Sequence, residues 1–164
     1  MSLSNTTRQE TLLERLAHYV ERSPSLGAML AIGSFANGTA DAVSDLDLYL
    51  IAYEGRFKQA WRSRNELHVT GSIVDWDEMD GELRGVAGHR WVTPELVVVE
   101  SVISSPRDGG RLADPFKLIV GDIRLVEGFP RRPRIDRSEM TGDQAHPVDV
   151  AYEELKKAVR EHSG

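Results

Sequence analysis

The chain has 164 residues, of which 40% are apolar and 28% charged, so one domain with a substantial core is expected and wholesale disorder is excluded. It contains no cysteine, which removes disulfides, thiolate metal sites and cysteine nucleophiles together. The net charge of −6 disfavours nucleic acid as a general partner; no apolar run approaches the roughly 18 residues of a membrane helix, so no membrane partner and a cytoplasmic location are expected.

Thr7, Arg8, Gln9 and Glu10 have capping-box spacing, and Leu12, Leu13, Leu16 and Val20 recur at helical period, which predicts a helix from about Gln9 to Arg22, stopped by Ser23 and Pro24. Leu26 to Ile32 reads as a buried strand ending in a Gly33-Ser34 turn. A polar stretch leads into Asp45 to Ile51, whose alternation marks the clearest strand. Arg56 to Arg64 reads as a helix, Leu67 to Trp76 as a third strand and Glu95 to Ile103 as a valine-rich fourth. Between them, Asp77 to Thr93 holds three glycines and reads as a loop with one short helix. Leu112 to Val120 gives a fifth strand, interrupted at Asp114 and Pro115. The fold class is therefore α/β (α+β), a mixed sheet of about five strands flanked by helices. Residues 1–120 read as the main domain, and 121–164 as an extended arm followed by a helix over Val148 to His162.

The chemistry concentrates in one place. Asp45 follows Ser34 by eleven residues, and Asp45 and Asp47, two apart on a strand, share a face. Two adjacent carboxylates repel, and hard oxygen ligands of this kind suit Mg²⁺ shared with substrate phosphates. Gly33 lets the backbone approach a ligand closely, while Ser34 offers a hydroxyl and an amide. A P-loop is excluded, because Thr39 and Ala40 stand where Lys and a hydroxyl residue are required. The five histidines, His18, His68, His89, His146 and His162, show no His-x-x-x-His spacing and read as packing or surface residues, with no zinc site. The three tryptophans read the same way, although Trp76 lies near enough to the acids to meet a nucleobase. Arg131, Arg132, Arg134 and Arg137 read as a solvated arm.

Strand, Gly33-Ser34 turn, and Asp45 and Asp47 on the next strand together resemble the nucleotidyltransferase superfamily, which includes DNA polymerase β and the antibiotic nucleotidyltransferases. The resemblance is close over residues 26–51 and loose, in element order, to about 120. It implies that Gly33 and Ser34 hold a nucleoside triphosphate, expected to be ATP, and that Asp45 and Asp47 bind two Mg²⁺ ions. It also implies a third carboxylate from a later strand, for which Asp75 is the first choice, Glu100 the second and Asp77 the third. The implied reaction moves a nucleoside monophosphate, expected to be AMP, to a hydroxyl of a small molecule or protein. Asn37 departs from the pattern, since many relatives carry a basic residue before the second glycine. The alternative reading is a non-catalytic interaction protein, either an antitoxin-type partner of a helical protein or a nucleotide sensor. A homodimer or a helical partner would supply the acceptor contacts that so short a chain lacks.

Overall fold

A computed structural model describes residues 5–78, 85–106, 112–127, 129, 131–133 and 157–158. The first helix, α1 (Thr7–Arg22), buries Leu12, Leu13, Leu16 and Val20, the residues whose spacing predicts it. Its start differs from a capping box: Thr7 already lies inside the helix, and its amide donates to Asn5 Oδ1 at 3.3 Å. Strand β1 (Leu26–Ile32) runs into a one-turn helix α2 (Ser34–Asn37), and β2 (Leu46–Ala52) follows. Helix α3 (Phe57–Arg62) continues into a 3₁₀ turn over Arg64–Leu67. Next come β3 (Val74–Asp77), β4 (Val86–Val92), β5 (Val98–Ser104), β6 (Leu112–Asp114), β7 (Phe116–Gly121), α4 (Ile123–Glu127) and β8 (Arg131–Pro133).

Six strands form one mixed sheet in the order β3-β4-β5-β2-β1-β7, and β6 pairs with β8 in a separate ribbon. Every neighbouring pair in the large sheet is antiparallel except β2 and β5, which run parallel. The parallel pair sets Asp47 opposite Glu100.

Alternation along β2 divides the sheet into two faces. Leu46, Leu48 and Leu50 pack with Trp91, Val99 and Ile103 against α1 and α3 on one side. Tyr49 and Ile51 pack with Leu30, Leu112, Val126 and Phe129 on the other. Asp47 shares this second face, because it alternates with Leu46 and Leu48.

The mixed α/β class is as expected, but the strand assignments need correction. Leu67 belongs to the 3₁₀ turn, so β3 is only the last part of the strand expected from Leu67 to Trp76. The stretch expected to be a loop contains β4, buried from Ala87 to Val92. The fifth strand is split at Pro115 into β6 and β7, which belong to different sheets. A proline without an N–H at the break fits the change of partner. Beyond Gly121, expected as an extended arm, the chain forms α4 and β8, with Val126 and Phe129 buried. Arg134, Arg137, His146, most of the expected C-terminal helix and residues 79–84 lie outside the described residues. Among the described residues, no helix is long and apolar enough to cross a membrane.

Gly121 closes the β1–β7 edge of this core. Its φ of +109° is strained for an L side chain, and an added Cβ would meet the Gly27 carbonyl and approach Ala28 Cα to 2.5 Å. Gly121→Ala is therefore expected to destabilise the protein by about 1–3 kcal/mol, read as a lower denaturation midpoint at unchanged m-value.

Candidate metal centre

The site grows from the sheet register. Ile32, the last residue of β1, is opposite Asp47, so the turn at Gly33 begins beside the acid pair. Gly33 has φ +67° and ψ −141°, a conformation that only glycine adopts without strain. The Gly33 carbonyl then accepts from the amides of Ala36 at 3.0 Å and Asn37 at 3.1 Å, which winds Ser34 into the α2 turn. Asn37 is committed to this turn, since its Oδ1 accepts from the Thr39 amide at 3.1 Å and from the Thr39 hydroxyl at 2.5 Å.

Asp45 is delivered by a turn that α1 holds in place. Buried Gln9 donates through Nε2 to the carbonyls of Asp41 at 3.0 Å and Ser44 at 3.3 Å. Arg8 donates to Ala42 O and Glu95 O, each at 2.9 Å, and so ties the approaches to β2 and β5 together. Within the turn, the Ser44 hydroxyl and the Val43 amide both donate to Asp41 Oδ1 at 3.0 Å.

Carboxylate oxygens of Asp45, Asp47 and Glu100 all lie within 4.8 Å of one another. Asp47 is buried, and the other two are half-buried. An octahedral Mg²⁺ with bonds of 2.0–2.1 Å sets neighbouring oxygens about 2.9 Å apart and opposite ones about 4.2 Å apart. The oxygen-only donor set and its dimensions therefore fit a hard divalent ion after a small closure. Glu100 also meets Arg90, whose Nη2 lies 3.0 Å from Oε1. That guanidinium is buried and is shared with Glu78. Gly88 makes room for the second carboxylate, because a Cβ there would meet Glu78 Oε2 at 2.7 Å.

Of the three later carboxylates, the structure brings Glu100, the second choice, to Asp45 and Asp47, and places Asp75, the first choice, apart from them. Asp75 lies on β3, the edge strand, with β4 and β5 between it and β2. At about 4.8 Å per strand this is about 14 Å of sheet. Asp75 is also opposite Trp91 on the α1 and α3 face, whereas Glu100 is opposite Arg90 on the other. Asp77 shares the face of Asp75 and is bound elsewhere. Trp76 is opposite Arg90, on the same face as Glu100, and packs with Val92 and Val98 on the side of the cluster away from Gly33.

Three polar contacts escaped the sequence reading: those of Arg90 with Glu100 and with Glu78, and the one between His68 and His89. The rings of those histidines meet with their Nε2 atoms 2.9 Å apart. His89 Nδ1 lies 2.7 Å from Asp77 Oδ1, and Arg64 grips the same carboxylate through Nε at 3.0 Å and Nη2 at 2.9 Å. Burial would raise the Asp77 carboxyl, but the hydrogen bonds from Arg64 and His89 outweigh it and hold the group below its ordinary range. Burial lowers His89 despite the Asp77 charge, and it lowers His68 with help from the neighbouring His89.

These directions predict a pH dependence. On acidification, both histidines protonate in the unfolded chain near the ordinary value of 6.5, before they do in the folded one. Stability is therefore present above about pH 6.5 and falls as the pH drops toward the depressed folded values. A second loss begins below the ordinary Asp value of 3.8, as Asp77 is forced to protonate. Urea midpoints measured across this range are expected to show the first fall in the wild type and a smaller one in His68→Ala.

No known protein family matches the chain, and no curated protein matches it.

Proposed function

We propose that the protein is a Mg²⁺-dependent nucleotidyltransferase that moves a nucleoside monophosphate, AMP from ATP, to a hydroxyl of a small molecule or protein. One observation carries this reading: the carboxylates of Asp47 and Glu100, on two parallel strands, and of Asp45, just before the first of them, converge beside a glycine turn that opens at the end of β1. Asp45, Asp47 and Glu100 would hold the cations, while Gly33 and Ser34 would face the triphosphate. The bound cations would neutralise the triphosphate and the charge on the attacking and departing oxygens. The acceptor oxygen bonds to the α-phosphorus as the bond to pyrophosphate breaks, and the hydroxyl proton passes to a nearby base. The chain's own contribution is positioning: Gln9 and Arg8 fix the approach to Asp45, and Arg90 fixes Glu100 through one of its two oxygens.

The Arg90 contact also favours a second reading, a nucleotide-binding interaction protein without turnover, because a guanidinium on Glu100 competes with a cation for that carboxylate. Incubation with labelled nucleoside triphosphates, Mg²⁺ and a panel of hydroxyl acceptors separates the two. Release of pyrophosphate is the expected result. Nucleotide binding without release for any acceptor would leave the interaction protein, and the absence of both would remove nucleotide chemistry altogether.

A further inference from the structure

We propose a second binding site at the far end of the sheet, a groove beside α1 that takes the phosphate ester of a small hydroxylated compound, the class of the sugar phosphates. The groove measures about 550 Å³ and lies between the second half of α1, the turn over residues 23–25, the end of α3 and the 3₁₀ turn. That volume falls within the roughly 300–1,000 Å³ of small-molecule sites. Ser25 precedes β1, whereas the acid cluster lies where β1 ends. The length of that strand, at about 3.3 Å per residue, sets the two about 20 Å apart, and α1 and α3 cover the face opposite Asp47.

The groove supplies its own cations. Arg15 and Arg22 both line it, and neither has a hydrogen-bond or ion-pair partner among the described residues. At 100° per residue their spacing is about 20° short of two helical turns, so both project from one side of α1. Arg8 stands in the same row but is committed to the carbonyls of Ala42 and Glu95. The exposed glutamates Glu10, Glu14 and Glu21 gather on the other side of the helix. On a chain of net charge −6, α1 thus turns its basic side to the groove.

The lining decides the ligand. One guanidinium fork fills the single edge of a carboxylate, whereas the three terminal oxygens of a phosphate ester accept from two forks at once. Across the groove, Gln59, Ser63 and Glu66 offer amide, hydroxyl and carboxylate oxygens that accept from hydroxyl groups. Tyr19 donates to Glu66 Oε2 at 3.5 Å, and burial together with the Glu66 charge holds its hydroxyl above the ordinary range, so it stays protonated. The floor is a fixed turn: Ser23 Oγ accepts from the amides of Ser25 at 3.2 Å and Leu26 at 3.0 Å. Glu66 would repel a second phosphate, so a monophosphate on a hydroxylated frame suits both walls and a triphosphate does not. The groove and the carboxylate cluster therefore select different ligands.

Calorimetric titration of the full chain in buffer free of divalent cations tests the proposal, with ribose 5-phosphate, glucose 6-phosphate, inorganic phosphate and glucose as probes. At least one sugar phosphate is expected to bind once per chain, inorganic phosphate more weakly and glucose not at all. Arg15→Gln and Arg22→Gln should each weaken the sugar phosphate by about 10-fold or more, the scale of a lost hydrogen bond to a charged group. Glu66→Ala should weaken the sugar phosphate but not inorganic phosphate, and Asp47→Asn should bind as the wild type does. Circular dichroism checks that each variant is folded. Affinity that survives in the double variant of Arg15→Gln with Arg22→Gln overturns the assignment, as does the absence of binding by every phosphorylated probe. Inorganic phosphate bound as tightly as both sugar phosphates would overturn the hydroxylated ligand class.

Discussion

Asp47→Asn is expected to abolish pyrophosphate release while leaving the metal-free protein as stable as the wild type or more so. The two effects have one cause. Asp47 brings a charge into a buried position beside two other carboxylates, where mutual repulsion opposes folding and a bound cation would relieve it. Asparagine removes the repulsion and the ligand charge together. A loss of at least about 10²–10³-fold in turnover is expected, the scale for deleting one group that stabilises transition-state charge. Asp45→Asn should behave alike, and Asp75→Asn should leave turnover unchanged because Asp75 lies on the other face. Mg²⁺ should raise the melting temperature of the wild type and of Asp75→Asn but not of Asp47→Asn. An Asp47→Asn protein with wild-type turnover would sink the catalytic reading.

Arg90→Met should produce the largest loss of stability. Its guanidinium is 1% exposed and lies against Glu78 and Glu100, which are 28% and 17% exposed. Removing one partner of a buried ion pair costs about 3–5 kcal/mol, and solvent at the two carboxylates places this case near the lower end. For a chain of this length that is a fall in melting temperature of roughly 6–12 °C. The double variant Arg90→Met with Glu100→Gln should recover part of the loss, since only the more exposed Glu78 is then left as a charge facing the vacancy. Arg90→Met alone should also bind Mg²⁺ more tightly, because the competing cation on Glu100 is gone. Unchanged Mg²⁺ affinity would show that Arg90 and the metal do not compete.

The turn and the acid pair were legible because they are local: Gly33 and Ser34, then Asp45 and Asp47, are placed by one turn and one strand's alternation. Glu100 was harder, since its position depends on the pairing of β5 with β2, which no short-range pattern encodes. A signal was nonetheless present: a single acid among Val97, Val98, Val99 and Val102 needs a partner to be tolerated in a buried strand. Asp75 looked equivalent only because β4 was missed. In β4, Gly88, His89 and Arg90 interrupt the apolar pattern, and each does so for a tertiary reason: room for Glu78, a bond to Asp77, and a bridge to Glu100. The histidine pair was invisible for the same reason, since His68, just after the 3₁₀ turn, and His89, on β4, meet only through tertiary packing.

The parallel β2–β5 pairing also governs when the acidic cluster can exist. The β1–β2 pair and the β4–β5 pair are each antiparallel neighbours that short connections can assemble independently, and each half carries an incomplete set of ligands. The β2–β5 junction joins these halves through contacts distant in sequence, the kind whose loop-closure entropy makes them slow to form. Ion binding at this cluster would therefore report on completed folding, and a divalent cation added during refolding should accelerate nothing before that junction closes and should slow its reopening afterwards.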